Sequence, residues 1–286
     1  MGQRILLQTT IPYTADDWHA GRFSLLAQAL RDRGHAVTAR DRATAPGTDD
    51  PVLAGLNRAA FDQLWLIAVD NGDGITEAEC AAVGRFREAG GAVFVTRDHM
   101  DLGSSVCTLG GIGAAHHFHS KQPELDEASL VANDTFTSAI SWPNYHSGSN
   151  GDVQRVEAVQ PVHPVLRRPD GTPLERLPAH PHEGAVSAPA DDPSARVVAT
   201  GTSKVSGRRF NLAVAFEPAD GASGRGWAES TFHHFADYNW DPRLGCPSFV
   251  SEAPSDAIQR DPALLDDTKR YVANLAAWLG GEPAPR

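Results

Sequence analysis

Short apolar runs alternate with helix-patterned stretches over the first hundred residues, and this limits the fold more than any other feature. Residues 4–9 (RILLQT) form a strand-like run that stops at Pro12. Residues 20–33 follow with Phe23, Leu26 and Leu30 at spacings of three and four, the period of a helix with one buried face. Gly34 ends that helix, and residues 35–39 give a second short strand. Residues 61–69 (FDQLWLIAV) are almost continuously apolar, as expected of a strand covered on both faces. Thr76, with Glu79 three residues later, reads as a capping box opening a helix that runs to Ala89. Gly90-Gly91 stops it, and residues 92–96 (AVFVT) are another buried strand. Repeated strand-helix-strand order predicts a parallel sheet with right-handed crossovers and helices on both faces.

The second half is less regular. Residues 103–120 are rich in glycine and small side chains, but the GxGxxG fingerprint is absent and no P-loop lysine follows. These are read as turn glycines, and no nucleotide cofactor is expected. Residues 161–193 hold eight of the 20 prolines, which predicts a long irregular excursion over the surface, a lid or an Ω-type insertion. Residues 196–200 and 210–216 read as a hairpin with its turn at Ser206-Gly207. Residues 227–232 form a last strand that delivers His233 at its end. A final helix starts at Pro262 after Asp261 and carries Leu265, Val272, Leu275 and Leu279 on one side before Gly280-Gly281. Residues 1–286 are thus expected to form one domain, with an irregular insertion at about 161–193.

Composition narrows the partners. A net charge of −11 without clustered Lys and Arg argues against a nucleic-acid backbone. No run approaches the ~20 apolar residues of a membrane span. The start, MGQRILLQTTIPY, reads as a first strand and not as a signal peptide. The odd set Cys80, Cys107 and Cys246 fits reduced thiols and a cytoplasmic protein. A small-molecule substrate is the expected partner, and a homo-oligomer is left open.

Chemistry-bearing residues concentrate in histidine clusters. In an open α/β sheet, ligands bind beyond the carboxyl ends of the strands. That rule brings residues 9–13, Asp70-Asn71, Asp98-His99 and His233-His234 to one edge. Asp98 and His99 leave a buried strand as a carboxylate and an imidazole together, although Asp98 could equally cap a helix. His233 is chosen over His234, because adjacent side chains on extended backbone face opposite ways. His117-x-His119 has a spacing that turns both rings to one side, so the pair could share a divalent metal such as zinc. A third ligand would come from His99, His233 or Glu183. His180-x-His182-Glu183 has the same spacing but lies in the Pro-rich excursion, so it is read as surface unless the excursion closes over the cleft. His19, Arg22, Asp70 and Trp240 are candidate substrate-binding residues. For Trp240 and its aromatic neighbours, core packing is the plainer reading.

Several of these segments resemble the ThuA-like (trehalose-utilisation) branch of the class I glutamine amidotransferase-like superfamily. The likeness lies in the strand, Asp-Gly turn, Thr-Glu-opened helix, Gly-Gly, strand and Asp98-His99 of residues 64–109. It continues in Leu109-Gly110-Gly111 with His117 and His119, in His163-Pro164-Val165, and in Gly224-Arg225-Gly226 followed by His233. The resemblance implies a flavodoxin-like three-layer fold, with a central mostly parallel sheet and added antiparallel strands. It also implies a departure. Amidotransferases carry a nucleophilic Cys on the turn after the strand matching residues 92–96. Here that turn is Arg97-Asp98-His99, and Cys107 comes too late in the chain to replace it. What the resemblance then implies is an enzyme for a small polar, carbohydrate-derived substrate, using Asp98, His99 and His233 with or without a metal. The alternative is a non-catalytic binding or accessory module on the same fold.

Overall fold

Eight strands make one sheet in the computed structural model of the chain, which describes residues 2–123, 145–219 and 223–283. In chain order they are β1 (Arg4–Pro12), β2 (Ala36–Arg42), β3 (Gln63–Ile67), β4 (Ala92–Thr96), β5 (Glu157–Ala158), β6 (Ala195–Thr202), β7 (Arg209–Phe216) and β8 (Gly226–Glu229). Their spatial order is β2-β1-β3-β4-β8-β7-β6-β5. The first five in that order run parallel, and the last three add antiparallel strands. The expected flavodoxin-like α/β architecture is therefore the observed one.

Both sheet faces are apolar, which is why the strands read as continuous hydrophobic runs. Side chains alternate across a strand, so Ile5, Leu7, Trp65, Ile67 and Phe94 enter one core while Leu6, Leu64, Leu66, Val93 and Val95 enter the other. The first core is closed by α1 (Ser24–Asp32) and α3 (Asp266–Leu279), through Leu26, Leu30, Tyr271 and Leu275. The second is closed by α2 (Glu77–Glu88), through Val83 and Phe86. Thr76 does cap α2: its hydroxyl accepts from the Glu79 N–H at 3.2 Å, and the Glu79 carboxylate accepts from the Thr76 N–H at 2.9 Å. Glu79 also receives the fully buried guanidinium of Arg42 at 2.8 Å, tying β2 to α2.

Several boundaries differ from the sequence expectation. β1 does not stop before Pro12 but pairs Pro12 with Arg42 after a register shift. Beyond Thr9 it pairs with β2 alone, where a residue without an N–H is tolerated. The stretch expected as one helix over 20–33 opens with a 3-10 turn, Ala20–Phe23. β8 ends at Glu229, so His233 sits on a following 3-10 turn, Phe232–His234, and not on the strand.

The largest correction concerns the Pro-rich excursion. It contains a 3-10 turn at Pro164–Leu166 and two short strands, Arg176–Pro178 and Ala185–Val186, which pair with Val153–Arg155 and His116–His117. Between those strands His180, His182 and Glu183 are buried. This segment is not a surface loop. Mutual N–H to carbonyl bonds of 3.0 Å join Tyr145 and Glu183, and the Ser147 N–H donates to the His180 carbonyl at 3.0 Å.

Candidate functional site

The site forms because β4 and β8 are parallel neighbours, so the residues that follow them emerge side by side. Beyond β4 come Arg97, Asp98 and His99; beyond β8 come Ser230, Thr231 and the turn carrying His233. The Phe232 N–H donates to the Arg97 carbonyl at 2.7 Å, and the Thr231 hydroxyl donates to Asp98 Oδ1 at 2.9 Å. The N-terminal cap of the turn is again Thr231, whose hydroxyl accepts from the His233 N–H at 3.2 Å. The excursion then lays His180 and His182 over these ends.

Asp98 Oδ2 is the common centre. It lies 2.9 Å from His99 Nδ1, 3.4 Å from His233 Nε2 and 3.5 Å from His180 Nε2. Asp98, His180 and His233 are almost completely buried, whereas 16% of the His99 side chain remains accessible. His182 completes the group, its ring 5.2 Å from that of His99 and 5.5 Å from that of His180, with Nε2 3.6 Å from Glu252 Oε1. Burial alone pushes the Asp98 carboxyl up, but the surrounding His99, His180 and His233 outweigh it and hold the group well below the usual carboxylate range. Burial likewise pushes the His180 imidazole well below its usual value.

Two asparagines fix which ring nitrogens carry protons. The Asn239 amide nitrogen donates to the Ala179 carbonyl at 3.0 Å and to Asn150 Oδ1 at 2.8 Å. Its oxygen therefore faces His233 Nδ1, 2.9 Å away, and accepts from it. Asn150 Oδ1, already an acceptor, lies 3.1 Å from His180 Nδ1 and accepts there as well. Both rings thus carry hydrogen on Nδ1, and in the neutral ring Nε2 presents only a lone pair. Both Nε2 atoms approach the same Asp98 carboxylate oxygen in one buried place.

A second network stands directly behind. His234 Nδ1 is 2.8 Å from Glu229 Oε1, and Nε2 is 3.5 Å from Glu183 Oε2 and 2.9 Å from the Gln154 amide nitrogen. All of His234, Glu229 and Glu183 are fully buried. Burial pushes the imidazole down, but the flanking Glu183 and Glu229 carboxylates outweigh it and raise it to about 9. Glu229 also accepts from Trp227 Nε1 at 2.8 Å and from the Tyr271 hydroxyl at 2.5 Å. Adjacent in sequence to His182 and His233 respectively, Glu183 and His234 lock the excursion to the sheet.

The remaining expected site residues fall elsewhere. Both ring nitrogens of His117 are engaged, Nδ1 with the Gln122 carbonyl at 3.1 Å and Nε2 with the Ser187 hydroxyl at 2.6 Å. His119 is largely exposed, 3.9 Å from Asp101. Among the described residues, neither histidine belongs to a group of three side chains spaced to share a metal ion. Asp70 accepts from the Ser105 hydroxyl at 2.9 Å and the Gly72 N–H at 2.9 Å, and Trp240 donates to the His234 carbonyl at 2.8 Å. Both are buried and support turns. His19 caps the 3-10 turn after β1, and Arg22 donates to the Asp17 and Ala15 carbonyls. They shape the loop whose Trp18 packs edge-on against His233, ring centroids 4.8 Å apart.

His180 and His182 are the residues that sequence reasoning placed outside the site, although their alternate spacing was visible. Asn150 and Asn239 carried no such signal. The turn after β4 holds no cysteine, and burial raises the thiols of Cys80, Cys107 and Cys246 above their usual value.

No protein-family model and no curated protein matches the sequence. Solved structures do. One described as a ThuA-like protein from Parabacteroides merdae superposes over 100% of this chain and 93% of its own, with 16% identity and a TM-score of 0.57. The chain has the ThuA-like fold. A cytoplasmic protein from Salmonella typhimurium matches 96% of the chain and 99% of its own, at 11% identity and a TM-score of 0.50. The glutaminase domain of Trypanosoma brucei CTPS, with bound acivicin, covers 99% of the chain and 96% of its own, at 15% identity and a TM-score of 0.48. Among the described residues, no helix is long and apolar enough to cross a membrane.

Proposed function

We propose that the chain is a cytoplasmic enzyme that moves protons on a small polar, carbohydrate-derived substrate through its His/Asp centre. The observation that carries this reading is the convergence of Asp98, His99, His180, His182 and His233 at the carboxyl edge of the sheet. Burying an ionised carboxylate among imidazoles costs folding free energy and is retained where chemistry uses it. His99 is the most accessible member of the cluster, so it is the acid–base group that meets substrate. Asp98 Oδ2 stands beside that ring, 2.9 Å from its Nδ1. The ThuA-like fold and the exposed Tyr13, its ring 4.9 Å from that of His19 on the loop beside His233, support a sugar-derived substrate. Chemistry without a thiolate follows from the turn Arg97-Asp98-His99.

The test is turnover of a panel of sugars, sugar acids and ketosugars by the wild type and by His99→Ala. General acid–base groups contribute roughly 10²–10⁴-fold. His99→Ala should lower kcat/KM by about that factor on any substrate found, with an unchanged melting temperature. Equal turnover by the variant would sink the catalytic role of His99. Ligand binding without turnover by the wild type would favour a binding module.

A further inference from the structure

We infer that the buried cluster at the β4 and β8 ends is a divalent transition-metal site, with Asp98 Oδ2, His180 Nε2 and His233 Nε2 as its ligands. This rests on the same cluster being the functional centre, but it assigns the cluster a cofactor and moves the metal away from His117 and His119.

Three observations support it. First, the donor atoms are spaced for one ion. Two ligands ~2.1 Å from a zinc ion at the tetrahedral angle stand about 3.4 Å apart. The carboxylate oxygen lies 3.4 Å from one imidazole nitrogen and 3.5 Å from the other. Second, the hydrogen bonds of the two ligand rings are committed away from the carboxylate. With Nδ1 of both rings committed to Asn239 and Asn150, both Nε2 atoms offer lone pairs toward a carboxylate. Buried His180 Nε2 has no hydrogen-bond partner, an open position that a bound cation would fill. Third, the outer contacts are those of a metal site. A ligating histidine usually gives its other N–H to a carbonyl or carboxylate oxygen, which fixes the ring and strengthens the donor.

The donor set of two imidazoles and one carboxylate suits zinc and its first-row neighbours, not calcium or magnesium. Three protein ligands would leave a fourth position open for water or substrate, and His99 and His182, which form a second triad with the same His180, lie nearby. The two ligand rings lie face to face, centroids 3.5 Å apart and 9° from parallel. Their lone pairs therefore point side by side, and binding must open this stack by turning the rings toward the shared ion.

The experiment titrates the metal-stripped full-length chain with zinc chloride by calorimetry, and with cobalt chloride by visible absorption. The expected result is one equivalent of each, with the intense visible bands of four-coordinate cobalt. His180→Ala and the conservative His180→Gln should abolish that equivalent, and Asn239→Ala should weaken it by ~10–100-fold. His117→Ala should bind like the wild type. No stoichiometric binding by the folded wild type would overturn the proposal, as would an equivalent that survives both His180 variants. The two readings separate cleanly. Zinc bound through His180 with full turnover by His99→Ala refutes the catalytic reading alone. Turnover lost in His99→Ala with no zinc bound refutes the metal site alone.

Discussion

His234→Ala should destabilise the protein by about 3–5 kcal/mol near pH 6, the cost of removing one partner from a buried ion pair. The residue is fully buried, and its ring lies between the carboxylates of Glu229, at 2.8 Å, and Glu183, at 3.5 Å. Alanine leaves two buried carboxylates facing an empty space. The pH dependence carries its own sign. The folded-state pKa, about 9, lies above the ordinary histidine value, so the folded protein holds this proton more tightly than the unfolded chain. The stabilisation is complete below about pH 6.5 and is lost as pH rises through about 9. The gap between wild type and variant should therefore shrink across that window. Urea unfolding at pH 6, 8 and 9.5 measures it. A gap below about 1 kcal/mol at pH 6, or one that widens with pH, would contradict a charged His234.

Phe94→Ala should cost a similar amount, about 3–5 kcal/mol, for a different reason. Phe94 is the middle residue of β4, completely buried, paired in register with Trp65 on β3 and Trp227 on β8. Its ring lies 4.8 Å from that of Trp65 and meets Phe235 edge-on at 5.3 Å. Removing it opens a cavity under the turn that carries His233 and His234. Phe94→Leu, which keeps most of the volume, should cost less than about 1.5 kcal/mol. Denaturant unfolding of both variants checks the ratio. Equal losses would mean that the cavity is not what the site rests on.

The parallel half of the sheet was legible because its strands are covered on both faces. Residues 61–69 and 92–96 have no solvated side to interrupt the apolar run. Strand ends were less legible. Nothing local distinguishes Glu229, the last residue of β8, from Ser230, because both are buried and both serve the polar network behind the site. Asp98, His99 and His233 could be placed from the rule that ligands gather at the carboxyl ends of parallel strands. His180 could not, because its position depends on long-range bonds from Asn150 and on pairing with residues 145–147. Proline content marked the excursion as irregular, and irregular was read as exposed. The side chains of His180, His182 and Glu183 are instead buried. His117 and His119 had suitable spacing, yet Ser187 and the Gln122 carbonyl occupy one ring and the other faces Asp101. Spacing shows which rings can share a ligand, not which ones the fold brings together.

The central claim is that His180 and His233 turn their Nε2 lone pairs toward Asp98 because Asn150 and Asn239 hold their Nδ1 protons. Long-range proton–nitrogen spectra of histidine-labelled, metal-free protein at pH 8 read this directly. The account predicts the Nδ1–H form for both rings, with Asn239→Leu releasing His233 from it. Finding both rings protonated on Nε2 would contradict the account.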